Sequence, residues 1–353
     1  MRDILSDHQM VALIGLVGGI LLGLAARLGR FCTLGAIEDA LYGGSMVRMR
    51  MWGVAIGFAI LGSFALIGTG YLDGASSYYL SIRWMPMASV IGGLVFGYGM
   101  ALSGNCGYGA VARLGGGDLR SFVIVLVMGV STYVVLSGPL APMRNAVFPQ
   151  IDVTSTDIPP GIAHHLAKLT GISVPLIGGT MGAAILLGSL MSKDIWDKPA
   201  QVVWAFVVGF AIVSGWAGTA WVAESGFEAL PIVSHSFAAP MGESILWFMT
   251  GSVRPLSFAV GSVAGIWVGA FVGSMIKGHF RWEACEDPRE LKRQIFGAGL
   301  MGAGAVLALG CSVGQGLSAF SVLALSAPVT FLAIFAGAAI GLHQLIVGFQ
   351  PAE

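Results

Sequence analysis

From Gln294 to Ala352 the chain carries no Lys, Arg, Asp or Glu. An uncharged run of that length holds two membrane-crossing helices, each of which needs about 20 mostly apolar residues. Seven further charge-free windows lie at 10–26, 51–72, 84–112, 121–143, 169–192, 199–223 and 255–276. The pattern predicts an all-α polytopic membrane protein with about nine transmembrane helices. Composition agrees, since only 10 % of the residues are charged against about 25 % in a soluble domain. The formal net charge of zero gives no basic surface for nucleic acid. The opening "MRDILSDHQM" runs straight into a span, without the short apolar region and small-residue cleavage site of a secretory signal.

Lys and Arg concentrate in cytoplasmic loops, so the alternate loops set the orientation. One side collects Arg27, Arg30, Arg48, Arg50, Arg113, Arg120, Lys193, Lys198, Lys277, Arg281, Arg289, Lys292 and Arg293. The other collects Arg2, Arg83, Arg144, Lys168 and Arg254. The imbalance predicts an N-terminus outside and a C-terminus in the cytoplasm.

Two of the four cysteines occupy matching surroundings, "SGNCGYG" (103–109) and "LGCSVGQG" (309–316). Gly97 and Gly99 precede Cys106 at the same distances at which Gly302 and Gly304 precede Cys311, and Gly109 and Gly314 follow three residues on. The two sites lie 205 residues apart, with an odd number of spans between them. The second copy therefore enters the membrane from the opposite side, as in transporters built from inverted-topology repeats with a site near the bilayer midplane. The predicted division is a first repeat at 1–150, an external connection and linking span at 151–198, and a second repeat at 199–353.

Two stretches are too polar to cross and too apolar for solvated loops: "GRFCTLGAIEDALYGG" (29–44) and 231–255. Both read as short re-entrant helices, tolerated at membrane depth only against protein or a wet cavity. Cys32 lies in the first, and Glu38 and Asp39 there can pair with nearby arginines. The 150–172 region is a polar, proline-containing external connection.

A cysteine among glycines at a helix break suits an anion. Glycine lets a backbone or ligand approach closely, the freed N–H groups attract negative charge, and the thiol adds a soft, uncharged donor. The candidate path residues are Cys32, Cys106 and Cys311. Arg30, Asn105, Gly107, Gly109, Gly310, Gly314, Gly316 and Ser236 support them. Arg30 serves equally as an anchor at the membrane face, whereas for the thiols the matched settings at helix breaks weigh against a role as small packing residues. Cys285, in "WEACEDPRELKR" (282–293), reads as a cytoplasmic loop thiol outside the path. The 16 methionines form no MxxM ladder, no metal site is expected, and no cofactor is implied.

Through "GRFC" with the following "ED", "GNCGYG" and "GCSVGQG", the chain resembles the YeeE/YedE family of bacterial membrane proteins over nearly its whole length. The resemblance implies uptake of thiosulfate, or a related sulfur compound, into the cytoplasm across the inner membrane. It also implies an hourglass-shaped monomer with inverted halves, a path past Cys32, Cys106 and Cys311, and Ser236 standing opposite Cys32. The thiols would pass the anion along by S–H hydrogen bonds. Family members often work with a small cytosolic sulfur carrier of the TusA type, and no such domain is visible in this chain. Selenium compounds fit the family equally.

Two other classes compete. A membrane thiol oxidoreductase working with quinone needs cysteine pairs poised to form disulfides, whereas these cysteines are single and set in apolar runs. A channel for a neutral solute would need the thiols only for packing.

Overall fold

The computed structural model of the chain describes residues 5–153, 158–284 and 287–348. In chain order the helices are α1 Asp7–Leu28, α2 Thr33–Leu41, α3 Val47–Gly68, α4 Tyr78–Ser81, α5 Pro86–Ser103, α6 Gly107–Gly115, α7 Leu119–Leu136 and α8 Ala141–Val147. Then follow α9 Ile162–Thr170, α10 Val174–Leu190, α11 Lys193–Trp196, α12 Pro199–Ser225, α13 Ala239–Thr250, α14 Phe258–Ile276, α15 Pro288–Leu307 and α16 Ser326–Val347. Between α15 and α16 a wide helical segment covers 312–321, with Gly314–Ala319 in π-helical form. No β-strand occurs among the described residues, so the expected all-α membrane fold holds.

Seven helical stretches among the described residues are long and apolar enough to cross a membrane. The expected count of about nine is reached only by adding α10, which has 17 residues, and α15. The latter begins with the charged turns Pro288–Arg293, which dilute its hydropathy. α2 and α13 have 9 and 12 residues, or about 14 and 18 Å of helix at 1.5 Å per residue. Neither can span a hydrocarbon core of about 30 Å. They are the short helices expected within 29–44 and 231–255. The 150–172 connection carries α9 and docks on the chain before α16, through Ile162 N–H to the Leu323 carbonyl (2.7 Å) and Leu325 N–H to the Pro160 carbonyl (2.9 Å).

Small residues set how the long helices meet, because without a Cβ two backbones can approach closely. Gly15, Gly19 and Gly23 of α1 lie against Phe258, Ser262 and Ile266 of α14, so the two run parallel. α3 and α12 also run parallel, with Gly209 on Ala55 and Gly62 on Val213. α1 and α12 themselves cross antiparallel, with Ile14 on Gly218 and Trp204 on Gly29. α5 and α15 are antiparallel as well, Gly92 meeting Ala308 and Gly99 meeting Gly297.

The remaining contacts pair off in the same sense. α5 packs on α16 and α15 on α7; α2 touches α16 and α13 touches α7; α6 leans on α14 and the 312–321 segment on α3. Corresponding helices swap partners and run in opposite directions, which is the geometry of an inverted repeat.

The close approach makes a stability test. A Cβ at Gly19 would lie 2.3 Å from the Ser262 carbonyl oxygen, and one at Gly23 2.4 Å from that of Ile266, while Gly188 has nothing within 4 Å. Gly19→Ala and Gly23→Ala are each expected to cost about 1–3 kcal/mol and to lower the thermal unfolding temperature of the detergent-purified chain. Gly188→Ala is expected to leave it unchanged or slightly raised.

Candidate functional site

A broken helix inside a bilayer frees backbone groups that water cannot reach, and three of the breaks here are met by a cysteine. Cys106 precedes α6 in an extended conformation, and its Sγ accepts the Gly109 N–H at 3.4 Å. Cys311 opens the 312–321 segment, and its Sγ accepts the Gly314 N–H at 3.4 Å. Ordinary N-caps use a Ser, Thr, Asp or Asn oxygen for this bond; here sulfur takes the place.

The match continues through the backbone. Ala110 N–H donates to the Cys106 carbonyl and Gln315 N–H to the Cys311 carbonyl, both at 2.8 Å. Gly104 N–H reaches the Ala101 carbonyl (3.2 Å) and Leu309 N–H that of Val306 (3.3 Å). Cys32 caps the start of α2 without a side-chain bond, yet Ala36 N–H donates to its carbonyl at 3.1 Å.

Two residues before each cysteine the backbone is left-handed: Arg30 at φ 56°, Gly104 at 70° and Leu309 at 57°. For Arg30 and Leu309 that region costs about 1 kcal/mol or more. One device, a helix end reversed through a left-handed residue and restarted at cysteine, is thus used three times.

The surroundings of the three sulfurs touch one another. The Cys32 and Cys106 thiols face each other, and Thr33 Oγ1 lies 4.0 Å from Cys106 Sγ. Ser312, next to Cys311, turns its hydroxyl toward Cys106. Cys311 Sγ also accepts the Phe237 N–H at 3.3 Å and lies 3.8 Å from Ser236 Oγ. Cys106 and Cys311 are buried and Cys32 is partly exposed. Cys285 lies outside the described residues.

Next to the Cys311 break lies a cavity of about 370 Å³. Ser236, Leu309 and Gly310 lie on the Cys311 side of it, and His8, Tyr79, Glu243 and Ser257 stand among its walls. It opens between the start of α1, the end of α7 and the start of α14. Near Cys32 cations gather. Lys277 Nζ donates to the Arg27 and Leu28 carbonyls (2.7 and 3.2 Å), Arg27 Nη2 to the Arg113 carbonyl (3.2 Å), and Arg48 pairs with Asp39 at 3.2 Å. Arg48 and Arg113 are the guanidinium groups that act on Cys32, while Arg30 is exposed.

The supporting residues divide. Gly109 and Gly314 supply the N–H groups that bind sulfur. A Cβ at Gly314 would sit 2.7 Å from Ser236 Oγ and 2.9 Å from the Tyr79 hydroxyl, so it would fill the approach to Cys311. Gly310 lines the cavity, and Asn105 is buried beside Cys106. A Cβ at Gly107 would meet Met128 and Met241, and one at Gly316 would meet Phe331 and Trp52.

Sequence reading did not single out Tyr79, Ser312 or Gln315. Gln315 is buried, donates Nε2 to the Ala308 carbonyl (2.9 Å) and accepts from Ser326 (3.1 Å), which holds the break before Cys311. An amide inside an apolar run was a signal for it. Nothing in the sequence marks Tyr79.

Burial orders the thiols by reactivity, because reagents attack an accessible sulfur first. In a Cys285→Ser background, N-ethylmaleimide is expected to modify Cys32 about tenfold faster than Cys106 or Cys311, read by mass spectrometry of the folded chain.

Residues 28–340 match the sulphur transport family. The chain is also 27 % identical over 324 residues to the thiosulfate transporter TsuA of Escherichia coli, covering 86 % of each chain. It is 26 % identical over 325 residues to TsuA of Spirochaeta thermophila, covering 88 % of this chain and 92 % of the relative.

Proposed function

This chain belongs to the sulphur transport family, and we propose that it carries thiosulfate into the cytoplasm along Cys311, Cys106 and Cys32. The observation that carries the reading is the bonding at Cys311. Two backbone N–H groups donate to its sulfur, so its acceptor capacity is occupied and the S–H hydrogen is what it has left to offer. An anion needs a donor. An uncharged thiol also repels a dianion less than a thiolate would, and weak contacts passed from one sulfur to the next permit release as well as binding.

The cavity beside Cys311 is the outer vestibule in this reading, and the cationic end near Cys32 faces the cytoplasm, in keeping with the loop charges. The halves are 1–150 and 199–353, joined through 151–198, and the membrane is a bacterial inner membrane. The transporter works as a monomer and delivers to a separate small cytosolic sulfur carrier. Both relatives above are named as thiosulfate transporters, which supports the substrate.

Cap chemistry sharpens the mutational test. Serine can still accept the Gly109 or Gly314 N–H, whereas alanine leaves that donor unmet, at a cost of about 1 kcal/mol. A strain without its own sulfate and thiosulfate importers, grown on thiosulfate as sole sulfur source, reports transport. Cys106→Ala and Cys311→Ala are expected to abolish growth at normal membrane levels. Full growth of both would sink the proposal. Partial growth of Cys311→Ser would assign the role to hydrogen bonding, and its failure to sulfur itself. Loss of disulfide exchange in place of thiosulfate uptake would favour an oxidoreductase. Gly314→Ala keeps every thiol and blocks the approach to Cys311; it is expected to cut initial uptake at least about tenfold.

A further inference from the structure

The walls of the outer vestibule include no Lys or Arg among the described residues, although a dianion entering it needs a positive field. Arg144 on α8 is the guanidinium placed to supply one. It is 9 % exposed. Its Nη2 bonds Asn145 Oδ1 at 2.6 Å, but Nε and Nη1 have no hydrogen-bond partner among the described residues. A buried guanidinium with two unmet donors costs stability, so its retention in this place calls for a ligand.

Arg144 lines a hollow of about 20 Å³ together with Ser89 and Arg83, enough for one water molecule. Gln150, Val306 and Leu309 line both this hollow and the vestibule. Leu309 is the left-handed residue two before Cys311. One layer of side chains thus separates the unmet guanidinium donors from the space above the outermost thiol.

We infer that Arg144 holds a small divalent oxyanion in the outer vestibule, acting through Gln150 and a water in the hollow, and so forms a capture station ahead of Cys311. The inference rests on the transport reading for its substrate, but it concerns binding, so the two can fail separately. Buried charge in a low-dielectric wall acts over more than contact distance, and loss of one such partly screened contact weakens binding by about tenfold.

The test uses the full chain in two preparations. In liposomes, initial rates of radiolabelled thiosulfate uptake are measured for the wild type, Arg144→Gln, Arg144→Lys and Lys168→Gln, the last removing an exposed cation elsewhere. The KM is expected to rise about tenfold in Arg144→Gln and by more than Vmax falls. Arg144→Lys, which keeps the charge and loses the fork, is expected to fall between, and Lys168→Gln within about twofold of wild type. A KM within twofold of wild type in Arg144→Gln overturns the inference, as does an equal rise in Lys168→Gln. If Arg144→Gln does not insert, an unchanged KM in Arg144→Lys overturns it instead.

In detergent, thiosulfate is expected to raise the unfolding temperature of the wild type more than that of Arg144→Gln. An equal rise overturns the inference while leaving transport intact, and is the result if a lipid phosphate occupies the hollow. No wild-type uptake, with a temperature rise that Arg144→Gln loses, overturns the transport reading and keeps the anion station.

Discussion

A bilayer offers no water to backbone groups, and everything distinctive in this molecule follows from breaking helices there regardless. Each break must satisfy its own N–H and carbonyl groups within the protein. At Cys106 and Cys311 the solution is a sulfur that accepts the third N–H of the restarted helix. At Cys311 the Phe237 N–H, from the extended lead-in to α13, is tied to the same atom. That bond fastens the short helix α13 to the break that follows α15. The buried amide of Gln315 then closes on the Ala308 and Leu309 carbonyls left open by the end of α15.

The same constraint links stability to passage. An oxygen cap would hold a helix start as well, but it would present a harder and more strongly hydrated group to an anion. Sulfur holds the backbone through its lone pairs and leaves a weak, polarizable donor free. Aromatic groups pack close to the breaks, Tyr108, Phe237 and His235 in succession and Trp52 against Phe31 and Phe331. The short helices α2 and α13 are each packed on the last long helix of the opposite half, with Cys32 and Ser236 in the chain just before them.

Much of this was legible because the sequence repeats itself. The glycine and cysteine register between 97–109 and 302–314 exposed the duplication, and the structure extends it to the left-handed pair Gly104 and Leu309. That pair was not legible, since leucine gives no hint of a positive φ; only glycine at 104 does. Arg30 was noticed for its charge, while its backbone conformation is what aligns it with the other two breaks. Gly107 and Gly316 looked like site residues because glycine near cysteine reads alike whether it makes room for a ligand or for a neighbouring side chain. The side chains that face them, Met128 and Met241 at Gly107 and Phe331 at Gly316, come from elsewhere in the sequence. Span counting was hardest where charge intrudes, as in the first turns of α15.

The central claim is that capped sulfurs at the two matched breaks touch the transported anion. The direct measurement is a crystal structure of the full chain grown with thiosulfate, with data collected at long wavelength for the anomalous signal of sulfur. The account predicts a peak beyond those of the protein's own cysteines and methionines, within about 4 Å of Cys311 Sγ and on the Ser236 side. Thiosulfate sulfur found only at the lipid-facing surface or among the cations near Arg27, with the Cys311 approach empty, would contradict it.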